Sequence, residues 1–80
     1  MIHTATKQKL QNGKFRYVHN INGKEYITKA SSVDYKFAVM QSEGDKAIGG
    51  FSKTLEAAQK YYPIKELKHW EKEIIEIQEI

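Results

Sequence analysis

The sequence predicts an α+β domain: a small antiparallel sheet of three to five strands, one helix packed on it, and a closing element that is a strand or a helix. Three observations predict it. Two runs rich in Tyr, Phe, Val, Ile and Thr flank Asn22-Gly23, a dipeptide suited to the positive φ angles of a two-residue hairpin turn. A helix signal opens at Ser52 or Thr54 and stops before Pro63. With 80 residues, 40% of them hydrophobic, the chain has material for one modest core.

Residues 1–13 are polar, with Ile2 and Leu10 as the only apolar anchor pair, and end in Asn12-Gly13. They read as a leader, and the single α+β domain is placed at 14–80. Centred on Asn22-Gly23, the hairpin pairs residues whose numbers sum to 45. Ile21 then faces Lys24, His19 faces Tyr26, Tyr17 faces Thr28 and Phe15 faces Ala30, all on one side of the sheet. Arg16 opposite Lys29, Val18 opposite Ile27 and Asn20 opposite Glu25 make the other side.

Residues 35–41 read as a third strand, apolar on both faces and so central. Residues 43–45 turn, and residues 46–51 return as a fourth strand in which Gly49-Gly50 marks a bulge or bend. In the helix, Glu56 lies in the first turn, while Leu55, Ala58 and Tyr62 recur at helical spacing. Residues 64–80 fit either periodicity. The four isoleucines among the last eight residues favour a strand after a helical lead-in over 65–70, and a continuous helix is the alternative.

Charge is unevenly spread. Residues 1–36 hold seven Lys/Arg against two Asp/Glu, a balance of +5, and residues 37–80 hold six against eight, a balance of −2. With no cysteine there is no disulfide framework and no thiolate nucleophile, and a reducing cytoplasm is the expected compartment. The amino-terminal residues lack the apolar core of an export signal, and no stretch is apolar for long enough to span a membrane.

Candidate chemistry is sparse. Residues 44–50 space two glycines like a phosphate loop, but Gly50 stands where the lysine should be. His3, His19 and His69 are scattered without ligand spacing, so neither a metal nor another cofactor is expected. Ser31, Asp34 and a histidine could name a triad, but no spacing brings them together. A chain this short seldom builds a cleft with converging titratable groups, so the expectation is a binding protein and not an enzyme.

The binding candidates lie on the hairpin. Phe15, Tyr17 and Tyr26 are read as core-facing, because a small domain needs aromatic rings to fill its interior. That leaves Arg16, Val18, Ile27 and Lys29 as an exposed face, apolar at its centre and basic at one end, with Lys14, Lys24 and Lys36 nearby. These seven residues are the candidate site for a protein partner or for DNA. The tail, with Glu71, Glu73, Glu76 and Glu79 against Lys72, would repel phosphate. The oligomeric state is open between a monomer and a homodimer formed through an uncovered strand edge.

Residues 50–58, Gly-Phe-Ser-Lys-Thr-Leu-Glu-Ala-Ala, resemble the strand-to-helix junction of the arm-type, three-stranded-sheet DNA-binding domains of tyrosine integrases. The resemblance covers residues 14–62 and implies that Arg16, Lys29 and Lys36 enter a major groove. Taken whole, the Lys- and Ile-rich chain is similar in type to small phage-encoded accessory proteins. That likeness implies an inhibitor or modulator of a host protein or complex, such as a defence nuclease, acting in the host cytoplasm by occlusion.

Overall fold

Asn22 and Gly23 take φ angles of 54° and 84°, the conformation a two-residue hairpin turn demands, and the rest of the topology grows from that turn. The computed structural model describes residues 3–80. In chain order the elements are β1 (His3–Lys9), β2 (Phe15–Ile21), β3 (Lys24–Ile27), β4 (Phe37–Glu43), β5 (Lys46–Ser52), helix α1 (Leu55–Lys60), a 3-10 turn (Lys65–Leu67), β6 (Glu71–Glu76) and β7 (Gln78–Glu79). The strands form two sheets. The first has the order β3-β2-β1-β7 and the second β5-β4-β6, and every pairing is antiparallel except β1 with β7. The α+β class is as expected, with seven strands in two sheets among the described residues in place of a single sheet of up to five.

The hairpin register follows the turn for four pairs, from Ile21 opposite Lys24 to Val18 opposite Ile27. Thr28 continues it, donating its backbone N–H to Tyr17 O at 3.0 Å. Beyond that point the ladder slips by one residue. Phe15 bridges Ser31 where Ala30 was expected, so Arg16 does not face Lys29. Thr28 provides the local cause: its hydroxyl accepts from Tyr17 N at 3.3 Å and competes with regular pairing.

The expected leader is instead a strand. Residues 3–9 pair with β2 along their whole length, from His3 opposite Ile21 to Lys9 opposite Phe15, and β7 pairs with Thr6 and Lys7 on the other edge. Its inward positions are His3, Ala5 and Lys7, all buried, so an alternation exists but is not written in apolar side chains. Lys7 reaches Asp34, and its ammonium also lies 3.4 Å from Tyr35 O and 3.9 Å from Glu79. Ile2, half of the leader's apolar pair, lies outside the described residues.

β4 is central in its sheet and buried on both faces, as its composition predicts: Ala38, Val39 and Met40 are fully buried. β5 runs through both glycines in unbroken register, Val39 opposite Gly50 and Met40 opposite Gly49, so the expected bulge is absent. The glycines serve close approach. A Cβ on Gly49 would overlap the His19 ring on the inner face, and one on Gly50 would lie 2.7 Å from the Tyr61 ring on the outer face.

Thr54 caps α1, its hydroxyl accepting from Ala57 N at 3.1 Å, and Glu56 sits in the first turn as expected. The helix buries Ala58 and packs over β4 and β5. The segment after it stays on the same outer face because buried Gln41 holds it twice, accepting from Ile64 N at 2.9 Å and donating to Leu67 O at 3.0 Å. The tail is a strand after a short 3-10 lead-in, and it changes sheets. β6 pairs with β4, Ile77 is buried between the layers, and β7 pairs with β1. The core lies between the sheets: Ala5, Tyr17, Ala38 and Ile77, with Phe15, Tyr35, Phe51 and Ile75 packed against them.

Close packing on Gly49 yields a stability test. Gly49→Ala should lower unfolding free energy by about 1–3 kcal/mol, since the added methyl must push into His19. Combined with His19→Ala, the loss in urea unfolding should be smaller than the sum of the single losses. Full additivity would show that the two residues do not meet.

Candidate functional site

The β2–β3 hairpin presents two different surfaces. Its outer face aligns Thr6, Val18 and Ile27 across three strands, with Gln8 and Arg16 in one neighbouring row and Thr4, Asn20 and Glu25 in the other. Ile27 is 65% exposed, Arg16 is exposed and Val18 is half-buried. Of the predicted site residues, Arg16, Val18 and Ile27 come together here.

The remaining four are dispersed. Lys14 enters β2 and Lys29 follows β3, both exposed. Lys24 lies on the other face, its ammonium 5.7 Å from the Tyr26 ring centre. Lys36 is turned away to Asp34, with an N–O separation of 2.8 Å. Lys36 and Lys7 hold the Asp34 carboxyl below the usual carboxylate range by hydrogen bonding. Two of the seven cations in residues 1–36 are thus occupied by one aspartate, and the basic surface is narrower than the composition suggests.

The inner face of the hairpin carries a feature the sequence reading missed. Tyr17 is buried and Phe15 is half-buried, but Tyr26, expected in the core, is 45% exposed. β3 and β5 are the outermost strands on one side of the two sheets, and between them lies an open groove of about 290 Å³. Ile21, Tyr26 and Thr28 form one wall, Ala47, Ile48, Gly49 and Phe51 the other, and His19 also lines it. Its size is at the lower end for ligand pockets, about 300 Å³, and suits one or two apolar side chains better than a whole small molecule. A shallower hollow continues it past Lys24 and Asp45.

Behind the groove the two inward histidines of β1 and β2 meet. His3 Nδ1 and His19 Nε2 are 2.9 Å apart, and the His19 ring packs 5.6 Å from Phe51. His3 Nε2 is buried without a hydrogen-bond partner among the described residues, and the Glu73 carboxylate stands 3.6 Å away. Burial lowers the pKa of both rings. His19 falls to about 4, with its neighbour His3 adding to the shift, and Glu73 partly offsets the shift at His3. Among the described residues no three His, Cys, Asp or Glu side chains are grouped to hold a metal ion. Positions 3 and 19 could have been matched from sequence only once residues 3–9 were assigned to a strand beside β2.

No family profile, curated protein or solved structure matches this chain.

The histidine pair makes stability depend on pH. With folded-state pKa values below the unfolded value, the unfolded chain binds more protons in the intervening window, so stability falls as the pH falls. For His19 the window runs from about 6.5 down to about 4, and the loss amounts to about 3 kcal/mol. Urea unfolding at steps through that range should show the decline, and a His3→Gln/His19→Phe variant should be nearly flat there. An equal slope in that variant would assign the dependence to other groups.

Proposed function

We propose that this chain is a non-enzymatic binding protein that docks a protein partner on its β2–β3 hairpin. One observation carries the reading: β3 is an edge strand whose four residues are all exposed, with Ile27 on one face, Tyr26 on the other, and an apolar groove beside it. Among the described residues no strand pairs with its outer edge, so backbone donors and acceptors stand beside exposed apolar side chains, a combination that recognises an extended segment of another protein. The one histidine lining the groove, His19, is already engaged with His3, which favours docking over proton transfer.

A standard interface of about 800 Å² per partner would cover roughly one seventh of the 5492 Å² surface. On so small a protein such a patch takes in the whole hairpin, and the chain would act by occupying a surface its target needs. This accords with the small phage-encoded accessory proteins that the sequence resembles, and we extend the proposal to inhibition or modulation of a host protein or complex, a defence nuclease among the candidates.

DNA binding is the second reading, favoured by exposed Lys14, Arg16, Lys24 and Lys29 against a single hairpin acid, Glu25. The engaged Lys36 and the acidic tail count against it. Among the described residues no helix is long and apolar enough to cross a membrane.

An alanine scan separates the readings. Docking of a protein predicts that Tyr26→Ala and Ile27→Ala each weaken capture of the partner from host lysate by about tenfold or more, while Arg16→Ala and Lys29→Ala change it little. Titration with duplex DNA should show no micromolar binding at near-physiological salt. Tight DNA binding that falls steeply with salt, and weakens in the Arg16 and Lys29 variants, would reverse the ranking.

A further inference from the structure

The two sides of the molecule carry opposite charge. On one side lie β3 and β5, the outer strands of the two sheets, and on the other lie β7 and β6. Residues 14–29, the β2–β3 hairpin whose outer strand β3 is the first edge, hold Lys14, Arg16, Lys24 and Lys29 against Glu25, a balance of +3, with Lys24 and Glu25 on β3 itself. Residues 71–79, which make the second, hold Glu71, Glu73, Glu76 and Glu79 against Lys72, a balance of −3. The internal partners leave this contrast in place. Lys72 turns from the acidic edge toward the end of α1, where it meets Gln59 O and Ala58 O and sits 4.2 Å from the centre of the Tyr62 ring. Glu79 keeps most of its side chain in solvent although Lys7 is 3.9 Å away and the Lys36 ammonium, shared with Asp34, lies close enough to feel its charge, and Glu73 is half-exposed beside His3.

Strand direction agrees with the charges. β3 and β1 both run antiparallel to β2, and β7 runs parallel to β1, so β3 and β7 point the same way. β5 and β6 likewise point the same way, each being antiparallel to β4. A second copy displaced sideways without reversal therefore offers β7 as a parallel neighbour to the open edge of β3. Each edge also exposes an isoleucine, Ile27 at 65% and Ile80 at 80%. That apolar component is needed, because solvent-exposed ion pairs alone contribute little.

We infer that this chain self-associates head to tail, the acidic β6–β7 edge of one copy docking on the β3 edge of the basic hairpin of the next. The contact is heterologous: a dimer keeps one unused edge of each kind, so association does not stop there unless the rotation between copies closes a ring. It draws on the same β3 edge as the proposed partner site, so a bound partner and a second copy exclude each other. The inference stands on charge and strand direction, and its failure would leave the binding reading untouched.

Sedimentation velocity of the full chain tests it, run over a concentration series at about 50 mM and about 500 mM NaCl, where the screening length falls from about 14 Å to about 4 Å. The weight-average mass should climb past that of a dimer at low salt, and the association constant should drop about tenfold or more at high salt. Two charge-reversed variants complete the test, Lys24→Glu/Lys29→Glu and Glu76→Lys/Glu79→Lys, each checked for native circular dichroism. Each should be monomeric alone, and an equimolar mixture should associate again, because the altered basic edge now complements the altered acidic edge. A monomer at every concentration in low salt would overturn the inference. So would a dimer that forms without regard to Glu76→Lys/Glu79→Lys, the signature of a symmetric contact between like edges.

Discussion

Tyr17 joins the parts of this fold. Its ring is buried between the two sheets, 5.0 Å from Phe51 and 5.6 Å from Tyr35. Its hydroxyl donates to Val33 O at 2.6 Å and accepts from Tyr35 N at 2.8 Å. One side chain thus fills the interior and pins the connection that carries the chain from β3 in the first sheet to β4 in the second. A ring this size can be buried only if its hydroxyl finds partners, and the connecting segment at Val33–Tyr35 supplies one of each kind. Burial raises the Tyr17 pKa, in keeping with a hydroxyl held neutral as donor and acceptor together.

The consequences of so small an intersheet space run outward from that joint. Phe51 lies against Tyr17 and also against His19, and His19 in turn needs Gly49 beneath it, so the bare backbone of β5 is a steric requirement of the first sheet. The same crowding brings His3 and His19 together and keeps both below the usual histidine range. At the far side, Lys7 is accepted into the interior because Asp34 and the Tyr35 carbonyl meet its ammonium. Polar residues therefore occupy inward positions normally held by apolar ones, and of their buried side-chain atoms among the described residues only His3 Nε2 lacks a hydrogen-bond partner.

The functional surface is a product of where the packing stops. The sheets cover each other at their centres and leave open edges, and at β3 the strand extends past its cover, so Tyr26 and the groove beside it face solvent. That boundary places exposed apolar groups and unpaired backbone at one edge of a basic hairpin. Recognition of another chain is the chemistry those groups offer.

Sequence by itself determined what is local. Asn22-Gly23 set the hairpin and its first four pairs, Thr54 and Pro63 bracketed the helix, the all-apolar run of β4 marked it as central, and the clustered isoleucines made the tail a strand. Each of these signals acts through neighbours a few residues away or through simple periodicity. The strand at residues 3–9, the straight passage of β5 through Gly49 and Gly50, the switch of sheets at Ile77 and the exposure of Tyr26 were decided by tertiary structure. For three of them the deciding partner is distant in sequence: β7 on the far edge of the first strand, His19 and Tyr61 for the glycines, β1 for the last strand. Arg16, Val18 and Ile27 were legible as one exposed patch because the hairpin register alone aligns them. The groove and the opposed charged edges were not, because both exist only once two sheets are stacked and their outer strands are known.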